Sequence, residues 1–333
     1  MNRGLIPGRF RRATTILPVA LAAACASAGY IVPAADADAP LALVSEAVAA
    51  RGVTSHVVVV SIDGLRPDAI ERFGARTLQR LMAEGSYSLE AKTILPSKTL
   101  PSHTSMLTGV EPDAHGVTWN SEEMEVHGHV ATPTIFAAAK QAGYRTAAFF
   151  SKEKFEHLAV PGTLDHVQIP GGLFGKSMAD ATVDHVERYL RGARPNLLFV
   201  HIGEPDFAGH LFGWMSTPYG WAVRTADQQL AELIAATDRA FGAGNYALIV
   251  TADHGGHGRD HGSDDARDVT IPWIAWGEGI TAGTVLPRGI STVDTAPTAL
   301  RLLGVEPTAE IAGVVVAGAI EIPVSAPVAG LGR

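Results

Sequence analysis

Two runs of β-branched and aliphatic residues each end on a carboxylate followed by glycine, and that pairing fixes the class of fold. Val57-Val58-Val59-Val60 leads through Ser61 and Ile62 to Asp63-Gly64; Ala247-Leu248-Ile249-Val250 leads through Thr251 and Ala252 to Asp253-His254-Gly255-Gly256. Apolar runs without alternation suit strands buried on both faces, as parallel strands are. A parallel sheet delivers the residues after its strands to one edge, where open α/β sheets bind ligands. The remaining pattern alternates to match: helix over 134–142 stopped by Gly143, strand 146–150, helix 177–190, strand 197–202, a long amphipathic helix 222–241 capped by Gly242 or Gly244, strands 246–250 and 271–276, and a last helix 292–303. The predicted fold is α/β, a mainly parallel central sheet with helices on both faces.

Four segments carry side chains suited to hard or borderline metal ions: VVVVSIDG at 57–64, SKTLPSH at 97–103, EPDFAGH at 204–210 and TADHGGHGRDHG at 251–262. Asp206 and His210 stand four residues apart, on one face if the chain is helical there, so both can grip one ion. His261 follows Asp253 through a Gly-rich loop that can fold back. Each piece alone has a plainer reading: Asp63 as a helix cap or turn former, and Thr99 as the N-cap of a helix over 102–108. Two Asp-ended strands, an Asp-x3-His and a downstream His-Gly in one chain point together to a metal site.

The ordered set DG, KTLPSH, P-x2-HG, EPD-x3-H, DHGG and HG resembles the type I phosphodiesterase/nucleotide pyrophosphatase branch of the alkaline phosphatase superfamily, over roughly residues 56 to 305. The resemblance implies an alkaline-phosphatase-like fold and a secreted two-metal phosphohydrolase. One ion would lie on Asp63, Asp253, His254 and the Thr99 hydroxyl, and the other on Asp206, His210 and His261. Both are expected to be Zn2+, although imidazole and carboxylate ligands also accept manganese or iron. Thr99 stands at the family's nucleophile position, which implies attack on phosphorus and hydrolysis of a phosphothreonine. A threonine hydroxyl needs a base or a cation for this, and no Ser-His-Asp arrangement is evident nearby. Asn120, in HGVTWN, matches the asparagine that donates to a non-bridging phosphoryl oxygen.

Two features bear on substrate. Nucleotide pyrophosphatases commonly read KTFPNH, whereas this chain has Leu100 and Ser102. Lys152 and Lys154 follow the strand at 146–150 and resemble the phosphate-contacting pair of the superfamily's monoesterases and phosphonate hydrolases. Preorganised cations favour a monoester dianion, so alkaline-phosphatase-like monoester hydrolysis stands as the alternative to diester or pyrophosphate cleavage. A remoter alternative is a metal-binding protein without catalysis, against which the intact Thr99 argues. Sulfatases are disfavoured, since Thr99-Leu-Pro-Ser-His supplies neither their Cys or Ser nor their arginine. Trp119, Trp214, Tyr219 and Trp221 are candidates to stack on a base or aryl group, with core packing expected for at least two. His103, His115 and His257 are candidates to order the ligand loops, and the segment 155–175 to form a substrate-facing insertion.

Arg3, Arg9, Arg11 and Arg12, an apolar stretch from Ala13 to Ala24 and then Ala26-Ser27-Ala28 have the layout of a secretory signal cleaved near Ala28. The run is short for a membrane span and holds Pro18, so no transmembrane span is expected in the mature chain. The lone cysteine, Cys25, lies inside this segment, so the mature chain would have no thiol; acylation of Cys25 as a lipoprotein is the competing reading. The expected organisation is a signal at 1–28, a linker at 29–55 with a short helix around 41–50, and one domain at 56–333 in the periplasm or outside the cell. A net charge of −8 without a basic stripe argues against nucleic-acid polymers and for small phosphate esters. Oligomeric state leaves no signal in the sequence.

Overall fold

The computed structural model describes residues 52–170, 178–307 and 310–321. The expected signal, Cys25 and the helix at 41–50 lie outside these residues. β1 (Val57–Ile62) is buried along its whole length because it runs between two equally apolar neighbours. On one side β5 (Leu197–Ile202) pairs with it in parallel, Ile62 opposite Ile202; on the other β6 (Ala247–Thr251) does the same, Ser61 opposite Thr251. β3 (Thr146–Phe149) and β4 (His166–Gln168) extend the parallel set beyond β5. Beyond β6 come β7 (Thr270–Gly277), β2 (Ser86–Lys92) and β8 (Thr284–Val285), giving the order β4-β3-β5-β1-β6-β7-β2-β8. β7 is antiparallel to both its neighbours and β8 is parallel to β2. The mainly parallel sheet is therefore as expected, with one reversed strand.

The helices form two packed sets. In one, α7 (Thr217–Phe241) packs against α1 (Pro67–Arg72), α2 (Arg76–Glu84), α5 (Ala179–Leu190) and α6 (Glu204–Phe212); in the other, α8 (Thr295–Leu303) packs on α3 (Thr99–Thr108) and α4 (Ile135–Gln141). α7 starts five residues earlier than its apolar periodicity indicates. Ser216 caps it through the Tyr219 N–H at 3.3 Å and Pro218 occupies its first turn, so local N-terminal chemistry extends the helix beyond its amphipathic stretch. α3 begins at Thr99 itself, with Lys98 in the N-cap position, so Thr99 is not a cap but the first helical residue.

The segment expected as an insertion is instead part of the sheet edge as far as it is described. Residues 153–158 form a 3-10 turn that buries Phe155, and β4 follows; residues 171–175 lie outside the described set. β2, α1 and α2 were not anticipated. β2 alternates buried and half-exposed residues and is broken by an irregularity between Ser88 and Ala91, so its signal is weaker than that of the central strands. Among the described residues no helix is long and apolar enough to cross a membrane.

Candidate active site

Three adjacent parallel strands end side by side, and each hands a carboxylate to the same edge. Asp63 follows β1, Asp206 lies in the first turn of α6 just after β5, and Asp253 follows β6; all three are buried. Gly64 turns the chain away at φ +70, and a Cβ there would lie 2.9 Å from the Asp206 Cα, so a side chain would push the first two carboxylates apart. The loop after β6 brings His254 and, seven residues on, His261 into the cluster, where their rings stack at 3.6 Å.

The imidazoles are oriented by their own backbone contacts. His254 Nδ1 donates to the Gly255 carbonyl (2.8 Å), His210 Nδ1 to the Arg259 carbonyl (2.9 Å) and His261 Nδ1 to the Ser97 carbonyl (2.8 Å). In each ring Nε2 is left with its lone pair. His254 Nε2 faces Asp63 Oδ1 at 3.3 Å, Asp253 Oδ2 at 3.2 Å and Thr99 Oγ1 at 3.3 Å. His210 Nε2 and His261 Nε2 face Asp206 Oδ1 at 3.2 and 3.6 Å.

These oxygens, Asp63 Oδ1, Asp206 Oδ1 and Asp253 Oδ2, are buried without a hydrogen-bond partner. Lone pairs converging on buried, unsatisfied carboxylate oxygens are unfavourable unless a cation lies among them. The donor set is nitrogen and oxygen without sulfur, as zinc or another divalent ion accepts. Two groups satisfy ligand spacing: Asp206 with His210 and His261, and Asp63 with Asp206 and His254. The residues therefore fit the implied ions. Asp253 faces the second group through its contact with His254, and Thr99 adds its hydroxyl.

Among the described residues, Lys152 is the one ammonium within this carboxylate cluster. Only 5% exposed, it contacts Asp63 Oδ2 at 2.5 Å and Asp206 Oδ2 at 2.7 Å. Burial disfavours its charge, yet Asp206, Asp63 and Asp253 push its pKa up. Burial would also raise the Asp63 carboxyl, but Lys152 and the His201 hydrogen bond hold it well below the usual range. Asp206 is likewise held down, against burial and the Asp63 charge, by Lys152 and His210. Asp253 is pushed well above the usual range, by burial first and then by the Asp63 charge. His210 is pushed up, first by its contact with Asp206.

Asn120 accepts the Leu100 N–H on Oδ1 at 2.9 Å, which holds its amide at the start of α3 beside Thr99 and leaves the amide nitrogen as the donor. Lys154 Nζ donates to the Asn120 carbonyl at 2.7 Å. Thus Lys152 reaches the carboxylates, and Lys154 the asparagine loop.

Several supporting residues carried little sequence signal. His201 donates Nε2–H to Asp63 Oδ2 at 3.0 Å, and Ser151 Oγ donates to its Nδ1 at 2.6 Å. Its signal was a histidine inside the apolar strand LLFVHI, where a buried polar group demands partners. Asp268 takes His257 Nδ1 at 2.7 Å and the Ser263 N–H and hydroxyl, and its carbonyl takes the Gly255 N–H, clamping both ends of the ligand loop. His103 bridges the Thr99 carbonyl and Ser61, and His115 bonds Ser105, so His103, His115 and His257 each order their surroundings. Trp214 and Tyr219 are core residues, and both donate to the Gly64 carbonyl. Trp119 stacks on His127 at 4.0 Å, and Trp221 is exposed.

Comparison with known proteins places the chain in a family. The family model described as type I phosphodiesterase / nucleotide pyrophosphatase matches residues 57–264. GPI ethanolamine phosphate transferase 1 of Gibberella zeae is 24% identical over 233 residues, 64% of this chain and 23% of that protein. The bis(5'-adenosyl)-triphosphatase of Xenopus laevis is 26% identical over 223 residues, 61% of this chain and 47% of that protein. The chain thus spans less than half the length of these curated relatives. Among solved structures, the murine ectonucleotide pyrophosphatase/phosphodiesterase 5 in complex with AMP superposes with a TM-score of 0.67 at 17% identity, over 76% of this chain and 96% of that one. A 2-O GAG sulfatase superposes with a TM-score of 0.64 at 15% identity, over 79% and 73%, so the fold is shared beyond the phosphodiesterases.

Proposed function

The chain belongs to the type I phosphodiesterase/nucleotide pyrophosphatase family, and on that premise we propose that it is a two-metal hydrolase that cleaves phosphodiester or pyrophosphate bonds of small substrates, nucleotides among them. The observation that carries this reading is the set of three imidazoles, each tied back through Nδ1 so that Nε2 meets unsatisfied carboxylate oxygens beside the Thr99 hydroxyl. Asp63, Asp253 and His254, with Thr99, would hold one ion, and Asp206, His210 and His261 the other. Such ions, when bound, supply Lewis-acid stabilisation of oxygens that gain charge.

The chain's own groups supply the rest. Thr99 Oγ attacks phosphorus from the first turn of α3, at the positive end of the helix dipole, and its proton passes to the departing oxygen. The ester oxygen opposite leaves on the Asp206, His210 and His261 side. The Asn120 amide donates to a non-bridging oxygen as it gains charge. Water then displaces the threonine from the phosphothreonine, restoring the hydroxyl.

Monoester hydrolysis is the second reading, favoured by one observation: Lys152 and Lys154 both reach the site, where cations would complement a dianion. We place the activity in residues 56–333, with residues 1–28 directing export; sequencing the N-terminus of the secreted protein tests that boundary.

Paired kcat/KM values of the zinc-loaded protein for p-nitrophenyl phosphate and methyl p-nitrophenyl phosphate decide between the two readings, with Thr99→Ala as control. Diester preference supports the first and monoester preference the second. A metal-loaded protein that turns over neither ester, or a Thr99→Ala variant as active as the parent, refutes the proposal.

A further inference from the structure

The cluster opens to solvent on one side only. Of its six Asp and His side chains, Asp63, Asp253 and His254 are fully buried and Asp206 and His261 are 6% exposed, whereas His210 is 41% exposed. His210 lies on α6 three residues after Phe207 and so on the same helical face, and Leu211 stands four residues after Phe207 in the row beside it. Phe207 is 45% exposed, Leu211 47%, and Phe212 at the end of the same helix 53%. Isolated exposed apolar residues are ordinary on a surface. These flank the exposed ligand of the subsite assigned to the departing oxygen.

Phe207 and Leu211 are four apart, so they form a ridge along α6 with His210 beside it. Behind that face, the Trp214 ring stands edge-on to His210 at 5.1 Å and to His261 at 5.8 Å. Gly209 and Gly256 make room for it: a Cβ on either would lie 2.6 or 2.2 Å from the indole. The imidazole is thereby held at the mouth against a fixed indole.

We propose that Phe207 and Leu211 form the leaving-group subsite and select esters whose departing alcohol has an apolar body, alkyl or aryl, over those whose leaving group is anionic. The proposal rests on the function assigned above and narrows it, from diesters and pyrophosphates in general to diesters of apolar alcohols. A group leaving past His210 passes the helical face that carries Phe207. Burying a short alkyl chain against one side of it is worth about tenfold in kcat/KM. Such contacts are made in the ground state as well as the transition state, so the gain lies mainly in KM.

The test uses two methyl aryl phosphodiesters whose phenols have matched pKa, one bearing a butyl group and the other a carboxylate. The zinc-loaded full-length protein is compared with the double variant Phe207→Gln, Leu211→Gln, each checked for metal content and Tm. The expected result is a preference for the butyl ester in the parent that falls about tenfold in the variant, through KM. Calorimetric binding of 4-butylphenylphosphonate and 4-carboxyphenylphosphonate is expected to show the same order, and the same loss, without turnover. An unchanged ratio in a variant that folds and binds metal overturns the subsite alone. A preference for the carboxylate ester also overturns it and assigns the flank of exposed Arg259, whose carbonyl bonds His210. Failure of the parent to hydrolyse any ester overturns the function and the subsite together.

Discussion

Replacing Lys152 by methionine nearly keeps the length of the side chain and removes the only ammonium that, among the described residues, contacts the carboxylate cluster. Its contacts at 2.5 and 2.7 Å are each worth roughly 6 kcal/mol of gross attraction at an effective dielectric near 20, before desolvation is subtracted. Removing one partner of a buried ion pair typically costs about 3–5 kcal/mol, because the remaining charges stay buried. For a domain of this size that corresponds to a fall in Tm of roughly 6–15 °C in metal-free protein.

The pH dependence gives a sharper test. In the parent, Asp63 and Asp206 are held below the ordinary carboxylate value, so their stabilisation is present above the unfolded pKa near 4 and is lost as pH falls through the folded values. Without Lys152, burial dominates and both carboxyls move above the unfolded value. Their stabilisation is then greatest in acid and is lost as pH rises. Thermal melts of EDTA-treated parent and Lys152→Met across pH 4 to 8 are therefore expected to diverge as pH rises, with the gap narrowing when zinc supplies the missing charge. A variant within about 1 kcal/mol of the parent, or a gap independent of pH, would refute the charge-balance argument.

Thr99→Ala is expected to lower kcat by at least about a thousandfold while metal content is kept, and Thr99→Ser to stay within about tenfold of the parent. Retained turnover in the alanine variant excludes Thr99 as the nucleophile. Gly256→Ala places a Cβ 2.2 Å from the Trp214 ring and is expected to cost about 1–3 kcal/mol, with weaker zinc binding as His210 and His261 shift; an unchanged Tm and affinity refute the slot. His115 accepts the Val117 N–H on Nδ1 and is pushed down to about 4 by burial. The unfolded chain therefore takes up its proton first, and stability falls as pH drops from about 6.5 toward 4. In His115→Gln that part of the acid slope should be absent, and parallel melting curves for the two proteins exclude the assignment.

The central strands and the acidic cluster at their ends were legible for one shared reason. A fully buried parallel strand reads as an unbroken apolar run, and its end announces what it delivers: Asp63 after Val57–Ile62 and Asp253-His254 after Ala247–Thr251. Asp206 and His210 were legible because a helix makes four-residue spacing a statement about one face. Groups acting through one side chain upon another were less visible. His201 reaches Asp63 across a strand pair 138 residues away in sequence, and Asp268 closes a loop through contacts that no local spacing encodes. β2 escaped for a different reason, since half its residues face outward and an irregularity interrupts its alternation.

Burial divides the site into two halves with different tasks. Asp63, Asp253 and His254 lie beneath the sheet edge with no exposed surface, and Thr99 is 2% exposed. A hydroxyl in that setting has little competing water, and its neighbours are fixed by strands that cannot move independently of the core. Charge interactions there are strong and already oriented, which in the proposed mechanism lowers the reorganisation needed during attack. The half on α6 is different, because one imidazole stands at the surface and the helix that carries it turns an apolar face outward. Variation in substrate is easier to accommodate on that side, where a surface side chain can change without opening the core. Substitutions on the buried half should therefore alter kcat or folding, whereas those at Phe207 and Leu211 should alter which ester is preferred.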